Sequence, residues 1–360
     1  MAFSAGELTN IANAALDFYL NKGDAFQQQI QNKPLLAKME GAAKQFPGGK
    51  GDISIAVQGA YGAGGVNDSV KGFTHDDTVA FFTPANIKRA AYTWREHHIG
   101  LMITHTELKI DGLSVTDTNG EGTSAHSQRD MHVLVNLLDN KLFDFGERYA
   151  RSMNDLLWGD GTSDTKALAG IRAIITANPT TGSVGGINRA TSGNEYWRNR
   201  ARTAAHAGSG GTGAVTSSPA NGGALLQILQ EEKRQLMRYG GNPTLFYAGS
   251  DFIAALEREM RANGYYSQSG FRGTQDGAMG SVNFDGIPIV YDPTLDNLSL
   301  QKRGYWWDPR HIFLMKMQGE WKRQHTPARP ANQFVMYRSL TCTGQMVATQ
   351  CNSALVVDIA

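Results

Sequence analysis

The sequence predicts an α+β fold, and three observations carry that expectation. Strand-like alternation opens the body of the chain at residues 52–58, a single uninterrupted helical stripe fills its middle, and strands dominate residues 305–360. The length of 360 residues allows two ordinary domains or one elaborated one.

Composition narrows the function classes. Lys and Arg number 34 against 33 Asp and Glu, a net charge of +1, so no global field draws in DNA or an anionic membrane. A hydrophobic fraction of 41% supports a real core. No apolar run approaches the ~20 residues that span a bilayer, so no membrane partner is expected. The start lacks the basic and apolar regions of a signal peptide, which implies synthesis in the cytoplasm. Cys342 and Cys351 have no further cysteine to complete a zinc site and read as two free thiols in or beside a strand.

Taken in order, residues 1–46 read as a polar helical arm. Leu8, Ile11, Ala15, Phe18 and Tyr19 recur at helical spacing, and the run from Asn21 to Asp24 stops it. A second patch from Phe26 to Met39 is interrupted by Pro34. Asp52 to Gln58 alternates apolar and polar residues, as a half-buried strand does. A glycine-rich connection, Gly59 to Gly65, leads to a second run at Thr78–Phe82, and the two predict an extended hairpin. Residues 90–110 are again strand-like, with Tyr92, Trp94, Ile99, Met102 and Ile103.

Ser124 then caps a helix predicted to reach Trp158. Met131, Leu134, Leu138, Leu142, Phe145, Tyr149, Met153 and Leu156 fall at spacings of three and four, one continuous face. At 1.5 Å per residue such a helix is roughly 50 Å long, far beyond an average helix. Gly159-Asp160-Gly161 ends it. Leu168–Ile175 reads as a loop entering a short strand, and His206–Gly223 as an exposed loop. Helices are expected at Leu225–Tyr239 and Asp251–Arg261, with strands at Thr244–Ala248 and Val282–Tyr291. The closing strands are His311–Met317, Gln333–Tyr337, Met346–Thr349 and Ala354–Ile359.

The motifs of common chemistries are absent or misplaced. Gly59–Gly65 opens no helix, as a dinucleotide loop requires, and Gly48-Gly49-Lys50-Gly51 lacks the rest of a phosphate loop. Glu96, His97, His98, His105 and Glu107 are the densest group of metal-ligand types, but His97 and His105 would stand about 26 Å apart on an extended chain. His126 and His132 have the wrong spacing for a shared helical face, and Asp160 with Asp164 lacks a calcium-loop pattern. No serine sits in a nucleophile elbow. Arg189, Arg198, Arg200 and Arg202 with Tyr196 and Trp197 form a basic-aromatic cluster. Arginines bound to carboxylates, within the protein or on a neighbour, are the preferred account of it over nucleic acid. The sequence is therefore expected to hold no catalytic residues, cofactor site or metal site.

The order of parts resembles the Hong Kong 97-type fold of tailed double-stranded DNA phage major capsid proteins. Leu156-Leu157-Trp158-Gly159-Asp160-Gly161 with Ala169-Gly170-Ile171 looks like that family's close of the spine helix. The segment from Gly185 to Thr191 with Tyr196-Trp197-Arg198-Asn199, and the strand from Phe284 to Pro293, are similar to further family segments. The resemblance implies an N-terminal arm at 1–48, an extended loop at 49–89 and a P-domain with the spine helix at 90–160. It also implies a mixed α/β A-domain at 161–304, and returning strands of the P-domain with the C-terminal strand at 305–360. A self-assembling subunit follows, forming hexamers and pentamers that tile an icosahedral shell around DNA without sequence-specific binding. The implied location is the virion, after assembly in the host cytoplasm. Scaffolding, portal and decoration proteins are the implied further partners.

Two features depart from some relatives. No long charged N-terminal scaffold extension is present, and the start at Met1 implies that none has been removed. Lys71 and Asn352 match a cross-linking pair by position alone. The alternatives are an encapsulin-like compartment shell and, from another class, a soluble enzyme with a site in its middle domain.

Overall fold

The computed structural model describes residues 3–4, 31–59, 72–78, 87–104, 106, 115–116, 128–162, 164–207, 213–216, 224–262, 282–325 and 335–360. Its first strands are β1 (Phe3–Ser4), β2 (Lys44–Phe46), β3 (Asp52–Gln58), β4 (Ile87–Thr93), β5 (Arg95–Thr104), β6 (Val115–Thr116), β7 (Ser183–Val184), β8 (Ile187–Asn188) and β9 (Arg200–Arg202). They continue as β10 (Leu245–Ala248), β11 (Asn283–Phe284), β12 (Ile287–Tyr291), β13 (Arg303–Trp307), β14 (Ile312–Met317), β15 (Arg323–His325), β16 (Val335–Ala348) and β17 (Leu355–Asp358). The helices are α1 (Pro34–Gly41), α2 (Gln128–Leu157), α3 (Ile171–Ile174), α4 (Ala224–Met237), α5 (Ser250–Ala262) and α6 (Pro293–Asn297).

The chain divides into two compact units. One comprises Met1–Asn32, Glu96–Asp155 and Gln318–Thr343, and the other Lys33–Arg95, Leu156–Met317 and Gly344–Ala360. Both α2 and β16 begin in the first unit and end in the second.

In the first unit α2 supplies the spine that the spacing predicts, 30 residues long, or roughly 45 Å. Leu142, Phe145 and Met153 of the stripe are buried, and Tyr149 is half-buried with its hydroxyl 3.3 Å from the Cys342 Sγ. The side chains of Met131, Leu134 and Leu138 lie outside the described residues. β15 runs antiparallel to β16, from Arg323 opposite Thr341 to His325 opposite Ser339, and β5 also pairs with β16.

The second unit is built on a six-stranded sheet in the order β11-β12-β10-β13-β17-β9. β10 and β13 lie near its middle, and their side chains alternate between two covered faces. Phe246 and Trp306, opposite one another, stack at 5.2 Å and face Leu225, Leu229, Phe252 and Leu256 of α4 and α5. On the other face Tyr247, Tyr305 and Trp307 surround Trp158, the residue that follows the spine helix. The Trp158 Nε1 donates to Asp292 at 2.7 Å, so the one polar atom of this buried indole has a partner. A remote cap finishes α4, since the buried Glu259 of α5 accepts from the backbone N–H groups of Leu225 and Leu226 at 3.1 and 2.7 Å.

Several expectations need correction. The hairpin partner of β3 is β4, in register from Asp52 opposite Thr93 to Gln58 opposite Ile87, rather than Thr78–Phe82. Residues 79–82 themselves lie outside the described residues. Leu168–Ile175 forms the short helix α3 instead of a strand, with Ile171 and Ile174 buried. The two strands expected at 333–337 and 346–349 are one, β16, because the polar residues between them are buried and pair in a sheet. Leu157, not Leu156, completes the buried stripe at the end of the spine. The arm helix at 8–19 and the helix start at Ser124 lie outside the described residues.

Candidate assembly site

β3 and β4 form a two-stranded ribbon with no third strand among the described residues. A lone ribbon is marginal unless one face packs on something. Here Ile53 and Val57 of β3 and Ala90 and Tyr92 of β4 are buried, while Asp52, Ser54, Lys88 and Arg89 are exposed. The period of two in Asp52–Gln58 that predicts the strand is thus the period of this buried face.

The ribbon is fastened at its root by a set of residues from distant parts of the second unit. The Tyr92 hydroxyl donates to the Ala348 carbonyl at 3.0 Å, and the Ala91 N–H donates to the Gly185 carbonyl at 2.9 Å. Burial raises the Tyr92 phenol well above its ordinary range, which keeps it a neutral donor. Gly185, in the β7–β8 turn, has a φ of 58° and lies so close that a Cβ would come within 2.9 Å of Ala90 and of the Tyr92 ring. Glycine is needed there for both backbone and space. Gln345 Nε2 donates to the Thr93 carbonyl at 2.9 Å, Trp94 Nε1 donates to Lys50 at 2.8 Å, and Lys88 donates to Asn194. Tyr92→Phe is expected to cost about 1 kcal/mol, the net value of a buried hydrogen bond. Faster hydrogen exchange confined to β3 and β4 would register it, and unchanged exchange would show that the ribbon does not depend on this bond.

The basic-aromatic cluster proves internal. Arg189 is fully buried; its Nη1 donates to Thr176 and Asn199 and its Nη2 to the Ile174 carbonyl at 2.7 Å. Arg198 donates to the Arg189 carbonyl, and Trp197 is buried with its Nε1 on the Val184 carbonyl. Arg200 and Arg202 both bind the buried Glu232. Arg200 and Arg202 thus bind carboxylates within the protein, as the carboxylate account expects, whereas Arg189 and Arg198 are held by carbonyl, hydroxyl and amide oxygens instead.

Of the metal-ligand types, Glu96, His97 and His98 stand on β5, whereas His105, Glu107 and His126 lie outside the described residues. Among the described residues no three of His, Cys, Asp or Glu gather as a metal-holding group, and no helix is long and apolar enough to cross a membrane. Cys342 and Cys351 are buried thiols outside any disulfide, as their isolation in the sequence predicts. Asn352 is described, with its Oδ1 accepting from Gln350 at 2.6 Å, but Lys71 is outside the described residues. Sequence reasoning singled out neither Gln345 nor the contact of Gly185 with Tyr92. The Gly185-Gly186 pair is the one local signal that a close approach occurs there.

No family model matches the chain, and no curated protein does. Solved structures do. A cyanophage A-1(L) capsid asymmetric unit is 14% identical over 95% of this chain and 98% of its own, with a TM-score of 0.58. The capsid of a native GTA particle is 12% identical over 97% and 98%, with a TM-score of 0.53. The holo-SrpI encapsulin complex from Synechococcus elongatus is more distant, 10% identical over 95% and 94%, with a TM-score of 0.46. Over nearly the entire chain the fold is therefore the Hong Kong 97-type fold of tailed-phage major capsid proteins.

Proposed function

We propose that the protein is the building block of an icosahedral capsid, assembling into hexamers and pentamers that enclose double-stranded DNA. The observation that carries this reading is the likeness, over nearly the full length of both chains, to a cyanophage capsid asymmetric unit. In this reading residues 1–48 are the arm, 49–89 the extended loop, 90–160 with much of 305–360 the P-domain, and 161–304 the A-domain, whose sheet β13 and β17 complete. The role is structural, not catalytic. A ribbon packed at its root suits a subunit that must make the same contacts at five-fold and six-fold positions. The near-neutral net charge of +1 suits a wall that contains DNA without gripping it.

Negative-stain electron microscopy and sedimentation velocity test the reading. Closed shells or rings in the megadalton range are expected, from the protein alone or with a scaffolding protein. A 39.1 kDa monomer under both conditions would overturn it. Shells isolated from the native source should contain nuclease-protected DNA, and a protein cargo in its place would overturn the genome-shell assignment.

A further inference from the structure

The sheet unit carries two unlike surface patches at opposite ends. The first is an open groove of about 620 Å³ between α4, α5 and the β11–β12 hairpin. Leu226, Met260 and Phe284 line it, together with Met237, which is 49% exposed. Lys233 and Arg234 bring positive charge, of which Asp285 offsets one by pairing with Lys233. The lining therefore carries one net positive charge.

The second patch lies where β12 ends and α5 begins. Tyr291 and Leu298 are 42% and 37% exposed. Asp296 holds this corner together, accepting from the Tyr291 hydroxyl at 2.7 Å and from the Ser250 N–H at 3.0 Å. Asp251, next to Ser250 in the chain, is exposed and adds a second carboxylate. The patch is apolar with net negative charge. β12 runs from the groove to this corner, and α5 runs back from the corner to Met260. At ~3.3 Å per strand residue and ~1.5 Å per helical residue, both elements separate the patches by roughly 15–20 Å.

The geometry points to a head-to-tail contact between copies of this chain, in which the groove of one takes the Tyr291–Leu298 corner of the next. This rests on the shell reading and names the surfaces that build its rings. Two different patches on one rigid unit repeat the same rotation at each step, which closes a ring when the angle divides a full turn. The opposite charges favour the groove–corner pairing over groove against groove. The exposed Phe73, with Asp76 and Asp77 nearby, is the rival occupant by charge. It is not part of the sheet that carries the groove, so a contact through it would not by itself fix the angle between neighbours.

Cysteine cross-linking tests the contact. Met237→Cys combined with Leu298→Cys, treated with a short bis-maleimide after assembly, should give a denaturing-gel ladder reaching five and six copies. The natural Cys342 and Cys351, at 2% and 0% exposure, should give little background. Shells without a ladder would overturn the contact, as would a ladder from Met237→Cys with Phe73→Cys in its place. If the cysteine pair disturbs assembly, charge reversal decides. Arg234→Glu and Asp251→Lys should each cut assembly at least tenfold while leaving the circular dichroism melt near that of wild type, and the two together should restore it. Unaffected single variants, or no restoration, would overturn the pairing. A wild-type chain that never assembles would sink the shell reading first, and this contact with it.

Discussion

Gly170→Ala is expected to destabilise the sheet unit by about 3 kcal/mol, the upper end of what forced overpacking costs. The reason is space, not torsion. Gly170 has φ −79° and ψ −163°, which any residue adopts. A Cβ there would lie within 2.7 Å of the carbonyl oxygens of Leu156, Leu157 and Gly159. All three are backbone atoms at the close of the spine helix, so no side chain can turn aside to make room. Separating residues 169–171 from the helix end would expose Trp158, Leu157 and Ile171, each fully buried. Gly146→Ala is the control. It lies inside the same helix with nothing within 4 Å of the added atom, and should stabilise by about 0.5–1 kcal/mol. Urea midpoints followed by tryptophan fluorescence should move in opposite directions for the two. An unmoved midpoint for Gly170→Ala would show that the segment shifts off the helix end at no cost.

The spine helix was legible in the sequence because its apolar residues keep helical spacing from Met131 to Leu156, about seven turns, and no glycine pair or proline interrupts them. Strand β3 was legible for the same reason at a period of two. Its partner was not. In Ile87–Thr93 only Ala90 and Tyr92 are buried, and Lys88 stands opposite Val57, so the alternation that marks a strand is diluted by charge. Thr78–Phe82 looked the better strand by composition alone. Periodicity also failed at β13, where Gly304-Tyr305-Trp306-Trp307 is buried on both faces and shows no alternation at all. In β16 the failure had the opposite cause. Arg338, Ser339, Thr343 and Gln345 are polar yet at most 6% exposed, so a hydrophobic pattern splits one strand in two.

The site was less legible than the fold. Tyr92 anchors the ribbon through a hydroxyl that pairs with Ala348, 256 positions away, and nothing local in the sequence marks such a bond. The arginine cluster was visible as composition, but its meaning depended on which carboxylate folds against it. Glu232 is one of two adjacent glutamates on α4, and only the packing of that helix tells which of them is buried.

Glu232→Ala is expected to cost about 3 kcal/mol, because it leaves Arg200 and Arg202 without the carboxylate they share. Glu232 is fully buried, Arg202 Nε donates to its Oε1 at 2.6 Å, and Arg200 engages both of its oxygens. Larger losses are not expected, since the Arg200 side chain is 37% exposed and water screens it once its partner is gone. The same pair couples stability to pH. Burial alone pushes the Glu232 carboxyl up, but the hydrogen bonds and charge of Arg200 and Arg202 outweigh it and hold it below the usual range. A carboxyl depressed in the folded state binds fewer protons than it does unfolded. Its contribution is present above the unfolded value of about 4.3 and is lost as pH falls through the lower folded value. Urea midpoints of wild type and Glu232→Gln should therefore differ most at pH 7 and converge towards pH 3. A difference that stays constant across that range would mean that the Glu232 charge does not hold the two arginines. β9 lies at the edge of the sheet, parallel to β17, and these two side chains tie it to α4. Loss of the pair should accordingly release β9 to hydrogen exchange before the strands at the middle of the sheet.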